Sequence, residues 1–408
     1  MYRLGVSLLL AMLIALPGCN QGPRTSLKEA VSAQELAAVE LGYHWDVVLS
    51  LERGEHLKNI WHVDENVYGL TDRNRLVAHD AASGMAKWTR VLGRSDRLFF
   101  APTHCDKVRL PAELGPRTVI TPPRDAAIRE VDVVVVASTV DAQVLDRKTG
   151  QLLHLIDFTR SGFAASGPAV CDPLRLYVGT VKGVFYALDL KTGLVVWSQD
   201  AGGQITAQPR LLGNILFIAA RSGRIIATSV AGTTPARLWP RPRTKPQASG
   251  DFSADFVADD RGIFAGSQDY AVYAFDAQTG QNLWRYPTGG AITRPTQLGA
   301  TNVYARADNG ILYALAIEPG RPQEKWTLAG GEMVLAELEG KAYIVDDRQK
   351  LVVADAASGR VESRLSMAGL TIFVPNTKVP AIYAGNRDGL LVRIDPKGRG
   401  FLRTEMQR

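Results

Sequence analysis

The stretch YALDLKTGLVVW, residues 186–197, returns as YAFDAQTGQNLW at 273–284 and, with a less regular start, as VAHDAASGMAKW at 77–88. Asp, Gly and Trp keep their offsets in all three: Asp80, Gly84 and Trp88; Asp189, Gly193 and Trp197; Asp276, Gly280 and Trp284. Each copy reads as an apolar strand, a tight turn and a second strand ending on a large aromatic. Asp caps such a turn by accepting backbone N–H groups, and Gly supplies the left-handed backbone that other residues resist.

Working outward, the equivalents of the turn Asp fall at Asp80, Asp146, Asp189, Thr228, Asp276, Ala316, Asp355 and Asp395, at intervals of 66, 43, 39, 48, 40, 39 and 40 residues. Twelve residues before them stand Tyr68, Val134, Tyr177, Leu216, Phe264, Tyr304, Tyr343 and Tyr383, apolar or aromatic every time. Gly follows four residues later in the first seven copies, while Gly398 comes one residue early in the eighth. Period-two alternation within each copy signals strands joined by hairpins. A unit of about 40 residues with four short strands is a propeller blade. The fold expected is therefore all-β: an eight-bladed β-propeller of four-stranded antiparallel blades over residues 43–408.

In this frame the Trp ending each fourth strand fills the wedge between blades. His154 replaces it in blade 2, and blades 4 and 6 shift it to Trp239 and Trp326, so these blades should be less regular. The long intervals carry a Pro-rich, charged excursion near residues 107–130 and the stretch PRPRTKP at 240–246. Both are expected to be surface loops. Ring closure needs a last strand, because an open sheet edge is a liability. HWDVVLSL at 44–51 resembles a fourth strand with no first three before it, so it should complete blade 8, with residues 401–406 the competing candidate.

A chain of 408 residues with 46% hydrophobic and 22% charged residues is an ordinary folded protein, long enough for two domains or a closed repeat array. A scattered net charge of +6 argues for no nucleic-acid partner. Residues 1–18 read as a signal peptide: Arg3, an apolar core too short to span a bilayer comfortably, and then Leu16-Pro17-Gly18-Cys19. That ending resembles the lipobox of bacterial lipoproteins, which implies lipidation at Cys19 and, with Asn20 following rather than Asp, an outer-membrane, periplasm-facing location. Residues 19–42 read as a tether with a short helix capped by Ser26. An exported chain meets oxidising conditions, so Cys105 and Cys171 are free to pair. Equivalent positions on neighbouring inner strands can also lie too far apart to bond, so a disulfide and two buried thiols both remain open.

The run A-x-D-x-x-T-G-x-x-x-W resembles the repeat of the pyrroloquinoline-quinone-type propellers, a family of quinoprotein dehydrogenases and non-enzymatic members. With the lipobox and eight repeats, the chain is most similar to the non-catalytic lipoprotein branch. That resemblance implies a scaffold, monomeric within a complex, that binds envelope proteins, the β-barrel assembly machinery among them. A quinoprotein oxidoreductase, and a periplasmic peptide- or polysaccharide-binding module, are the alternatives.

No enzyme set accompanies the repeats. No cysteines are adjacent, as many quinoprotein dehydrogenases have them, and the acidic residues are mostly turn residues. No cofactor and no metal are expected: the six histidines, His44, His56, His62, His79, His104 and His154, form no ligand spacing. His56 and His62 would share one solvated strand face. No hydrolase elbow or phosphate loop appears, and Gly202-Gly203 and Gly289-Gly290 read as turns between blades. The single basic, aromatic cluster is Arg237, Trp239, Arg241, Arg243 and Lys245. Exposed, it would suit an acidic peptide or an anionic headgroup; otherwise it is a solvated loop whose Trp239 packs into the blade.

Overall fold

The computed structural model describes residues 30–397 apart from 112–126, 242–244, 319 and 321. The expected signal peptide, Cys19, Ser26, Arg243, Gly398 and the competing closing segment 401–406 lie outside the described residues. The rest forms eight four-stranded antiparallel sheets. Blade 1 runs Leu57–Val63, Asn66–Thr71, Arg75–Asp80 and Ala86–Val91, and the next six repeat this meander in chain order. First strands of neighbouring blades lie against one another, so they line the axis and the fourth strands form the rim. In each blade the turns between strands one and two and between strands three and four share one face, called here the Asp face.

Blade 8 is closed by the start of the chain. Strand Leu41–Val48 pairs antiparallel with Leu390–Pro396, outside strands Ile372–Phe373 and Ile382–Gly385. Residues 30–41 are docked rather than free to act as a spacer. Their helix is Ala33–Ala38, capped by Ser32, and Val31, Leu36 and Leu41 are buried in one cluster with Leu335 and Leu365 of blade 7 and Val392 and Ile394 of blade 8.

Two positions in the aligned repeat need correcting. In blade 2 the hairpin of strands two and three is one residue shorter: Val133 lies opposite Asp146 as Asn66 lies opposite Asp80. Val135 and not Val134 therefore takes the place of Tyr68. The backbone agrees, since Asp132 O accepts the Arg147 N–H at 3.0 Å just as Glu65 O accepts the Ala81 N–H at 2.9 Å. In blade 4 the turn residue in register with Asp80 is Ser229 rather than Thr228, and Phe217 rather than Leu216 lies against Trp239. A one-residue slip moves a strand's side chains to the opposite sheet face, so each correction changes which seam the residue fills. The excursion in blade 2 is also shorter than expected, because strands Thr103–Pro111 and Ile128–Ala137 extend into it.

The repeat motif turns out to be a lock between blades. Asp276 accepts the N–H groups of Gln278 and Thr279, and the Gly280 N–H closes the turn on the Asp276 carbonyl at 2.9 Å. These bonds hold the Asp276 carboxyl below its ordinary range. Gly280 is left-handed at φ +70°, and the Trp239 ring of the preceding blade lies directly on it, so that a Cβ there would sit 2.4 Å from the ring. The indole N–H then donates to Ala277 O at 3.1 Å. Trp45 bonds Ala81 O, Trp88 bonds Arg147 O and Trp326 bonds Ala356 O in the same way, at 3.1, 2.9 and 2.9 Å.

The other four seams lack this bond. Blades 4 and 6 have no turn Asp, and the buried indole nitrogens of Trp197 and Trp284, which face them, have no partner among the described residues. Blade 2 offers His154, 1% exposed with both ring nitrogens unpartnered, and blade 7 offers Ser363 in register. Each of these seams has another tie. Cys105 and Cys171 are disulfide-bonded between the first strands of blades 2 and 3, with Cα atoms 5.8 Å apart. Buried Arg175 of blade 3 donates to Val230 O and Gly232 O of blade 4 at 2.8 and 2.7 Å. Arg261 of blade 5 reaches Ala300 O of blade 6 at 2.7 Å. The docked N-terminal helix covers the seam between blades 7 and 8.

Candidate partner-binding surface

The basic cluster divides on folding. Trp239 is buried in its lock, so it is not available to a ligand. Arg237 stands on strand Ala236–Trp239 and donates to Asp200 O at 2.6 Å, while Arg241 and Lys245 are exposed. Burial first, and the neighbouring Arg224 charge second, lower the Arg237 guanidinium from its ordinary value. Arg237 and Arg224 line a cleft of about 550 Å³ at the seam of blades 3 and 4, with Gln199, Asp200 and Gly202. On and beside the fourth strands of the same two blades, Leu194 and Val196 of blade 3 are 60% and 41% exposed, and Leu238 of blade 4 is 45% exposed. Leu174, in the turn between the first two strands of blade 3, is 56% exposed on the Asp face, the end of the blade away from Asp200. Scattered exposed aliphatics are ordinary, so the cationic cleft rather than these side chains marks the candidate surface. Chain order hides the cleft, which becomes visible only once blades 3 and 4 stand side by side.

A second cluster joins blades 1 and 2. The donor atoms of Asp64, Glu65 and His104 lie within 4.8 Å of one another. His104 Nδ1 is 2.9 Å from Asp64 and its Nε2 is 2.8 Å from the Tyr68 hydroxyl. The hydrogen on each nitrogen follows from the rest of the chain of bonds. Lys87 donates to Asn66 Oδ1, which fixes the amide so that its nitrogen donates to the Tyr68 hydroxyl at 2.8 Å. The hydroxyl's own proton is then left for Nε2, and the imidazole proton sits on Nδ1, facing Asp64. A metal needs a lone pair at that position, and Arg147 already engages Glu65 and Asp106. The hydrogen bond from His104 holds the Asp64 carboxyl below its ordinary range. The cluster is a polar clamp between two blades.

The remaining histidines follow suit. His62 is stacked on Tyr383 at 4.5 Å across the closing seam, and burial lowers its pKa, so its strand face is not simply solvated. His56 precedes that strand rather than sharing it. With Thr371, Asn386 and Arg387 it lines an open cleft of about 460 Å³. Gly202 and Gly289 are left-handed residues in connections between blades, at φ +77° and +70°.

Fold and locks together define an eight-bladed propeller built from quinoprotein-type repeats whose signature residues hold blade to blade. A family model described as outer membrane protein assembly factor BamB matches residues 136–364, and the chain belongs to that family. The protein of that name from Shewanella oneidensis is 28% identical over 238 residues, covering 54% of this chain and 58% of its own length. The one from Yersinia pestis is 25% identical over 246 residues, covering 53% and 59%. The chain thus spans just under three-fifths of these relatives' length. Among solved structures, BamB from Moraxella catarrhalis superposes with a TM-score of 0.62 at 17% identity, covering 88% of this chain and 99% of that one. The computationally designed Ika8 protein follows at 0.59 and 16% identity, covering 85% and 98%. These two likenesses concern the fold alone.

Proposed function

We propose that this chain is a scaffold, lipid-anchored at the outer membrane through Cys19 and facing the periplasm, that binds envelope proteins of the β-barrel assembly machinery and catalyses no reaction. The observation that carries the proposal is how the motif residues are used. Asp80, Asp146, Asp189, Asp276 and Asp355 each accept backbone N–H groups of their own turns. Four of the tryptophans hold the next blade through an indole bond. Side chains used in this way serve rigidity, and a rigid ring that carries a cationic cleft is suited to presenting a surface. Membership of a family named for outer-membrane assembly supports the same direction.

The test is co-purification from detergent-solubilised envelopes with wild-type chain and with Arg237→Glu, Arg241→Glu and Lys245→Glu combined. Recovery of a β-barrel assembly protein with the wild type, reduced at least tenfold by the triple variant, is the expected result. No such protein with the wild type sinks the scaffold proposal. Equal recovery with both chains removes the cluster from the interface. Cys19→Ser should release the chain from the membrane fraction, and retention would refute the anchor.

A further inference from the structure

The seam between blades 2 and 3 departs from the others in two ways at once. Its lock position carries His154, whose ring rests near Gly193, with Nε2 3.5 Å from where a Cβ would lie, and bonds nothing. It is also the seam crossed by the disulfide, Cys105 on the first strand of blade 2 and Cys171 on the first strand of blade 3. The lock position is on the rim strand and the disulfide is near the axis, so the two are separate devices acting on one joint. Every seam with a hydrogen-bonded tryptophan does without a covalent tie among the described residues.

We infer that the Cys105–Cys171 disulfide substitutes for the absent tryptophan lock and makes this seam a redox-conditional joint: closed when the cysteines are oxidised, and able to part when a dithiol reductant cleaves the bond. The chemistry is thiol–disulfide exchange. One thiolate of the reductant attacks a cysteine sulfur, forming a mixed disulfide and expelling the other cysteine as thiolate. The reductant's second thiol then displaces the first cysteine. Two electrons and two protons pass to the protein, leaving two thiols, and the reductant leaves as its own disulfide. Cys105 and Cys171 are 3% and 7% exposed, so the attacking thiolate reaches them only while the seam is open. The rate of reduction therefore reports the opening of this joint, and a rim lock restored by His154→Trp should slow it.

The experiment uses the full chain and dithiothreitol, with hydrogen exchange read by mass spectrometry over strands Leu152–Asp157 and Val184–Asp189, and over Ala236–Trp239 and Ala271–Phe275 at the locked seam of blades 4 and 5. Reduction is expected to raise exchange at least tenfold at the first pair and to leave the second unchanged. His154→Trp should lower the reduction rate at least tenfold and suppress the rise. Equal exchange before and after reduction, or an equal rise at both seams, overturns the inference. So does a His154→Trp chain that folds but is reduced as fast as wild type. Should that variant not fold, the wild-type comparison of the two seams decides alone.

Discussion

Replacing a locked and an unlocked tryptophan by Phe isolates the worth of the indole bond. Trp88→Phe removes a buried N–H that donates to Arg147 O at 2.9 Å and leaves that carbonyl bare, while Trp197→Phe removes a buried N–H that has no partner. Both changes also shrink the ring, at a similar cost of about 1–2 kcal/mol by the usual scale of core truncation, and this term cancels in the comparison. Stranding a buried hydrogen-bonding group costs about 1–3 kcal/mol, and removing one already stranded returns a similar amount. The locked site should therefore lose at least about 2 kcal/mol more than the unlocked one, roughly a thirtyfold difference in the opening constant of its seam. A ring of this size need not unfold in a single step, so seam-resolved hydrogen exchange is a better assay than one melting curve. Equal increases in exchange at the seam of blades 1 and 2 in Trp88→Phe and at that of blades 3 and 4 in Trp197→Phe would refute the lock.

Gly150→Ala places a Cβ 2.5 Å from the Trp88 ring at φ +69° and should cost more than about 2 kcal/mol, whereas Gly232→Ala, with nothing closer than 3.6 Å, should be nearly neutral; thermal melts of the two compare them. Arg175→Met withdraws two charge-assisted bonds from the blade 4 turn and should cost about 3 kcal/mol, appearing as faster exchange at the seam of blades 3 and 4. Burial depresses the His154 pKa below its unfolded value of about 6.5, so the unfolded chain binds more protons and stability should fall as pH drops through and below that value; His154→Phe should flatten this part of a stability–pH profile. Replacing both disulfide cysteines by Ala frees a loop closed over a separation of 66 residues and should cost about 4 kcal/mol by loop entropy alone, measurable by urea denaturation beside the wild type.

The eight-fold count was legible because Asp, Gly and an aromatic recur at fixed spacing, and the turn chemistry that fixes that spacing is local. Counting back from the turn failed where the local chemistry changed: the shorter hairpin of blade 2, and blade 4, where Ser229 replaces the Asp. The substitute ties were legible only in part, since Cys105–Cys171 was one of two open readings and the arginine ties were not visible. Arg175 meets Gly232 and Cys105 meets Cys171 only because neighbouring blades lie side by side, a relation no window of sequence contains. Trp239 read both as blade 4's wedge aromatic and as part of a basic, Pro-rich cluster, and strand register places it in the core, as the first of these readings expects. The cleft at Arg224 and Arg237 belongs to the same class, since its lining comes from two separate blades.

The strand that closes the ring, Leu41–Val48, is made among the earliest of the described residues, while its neighbour Leu390–Pro396 is made among the last. Until synthesis is nearly complete, an apolar ribbon with open hydrogen-bonding groups waits without its mate, exposed to wrong pairings. Such late, long-range closure slows folding. A chain truncated before residue 390 would be left with both this ribbon and a bare edge on the final sheet, two surfaces ready to stick to one another in neighbouring molecules.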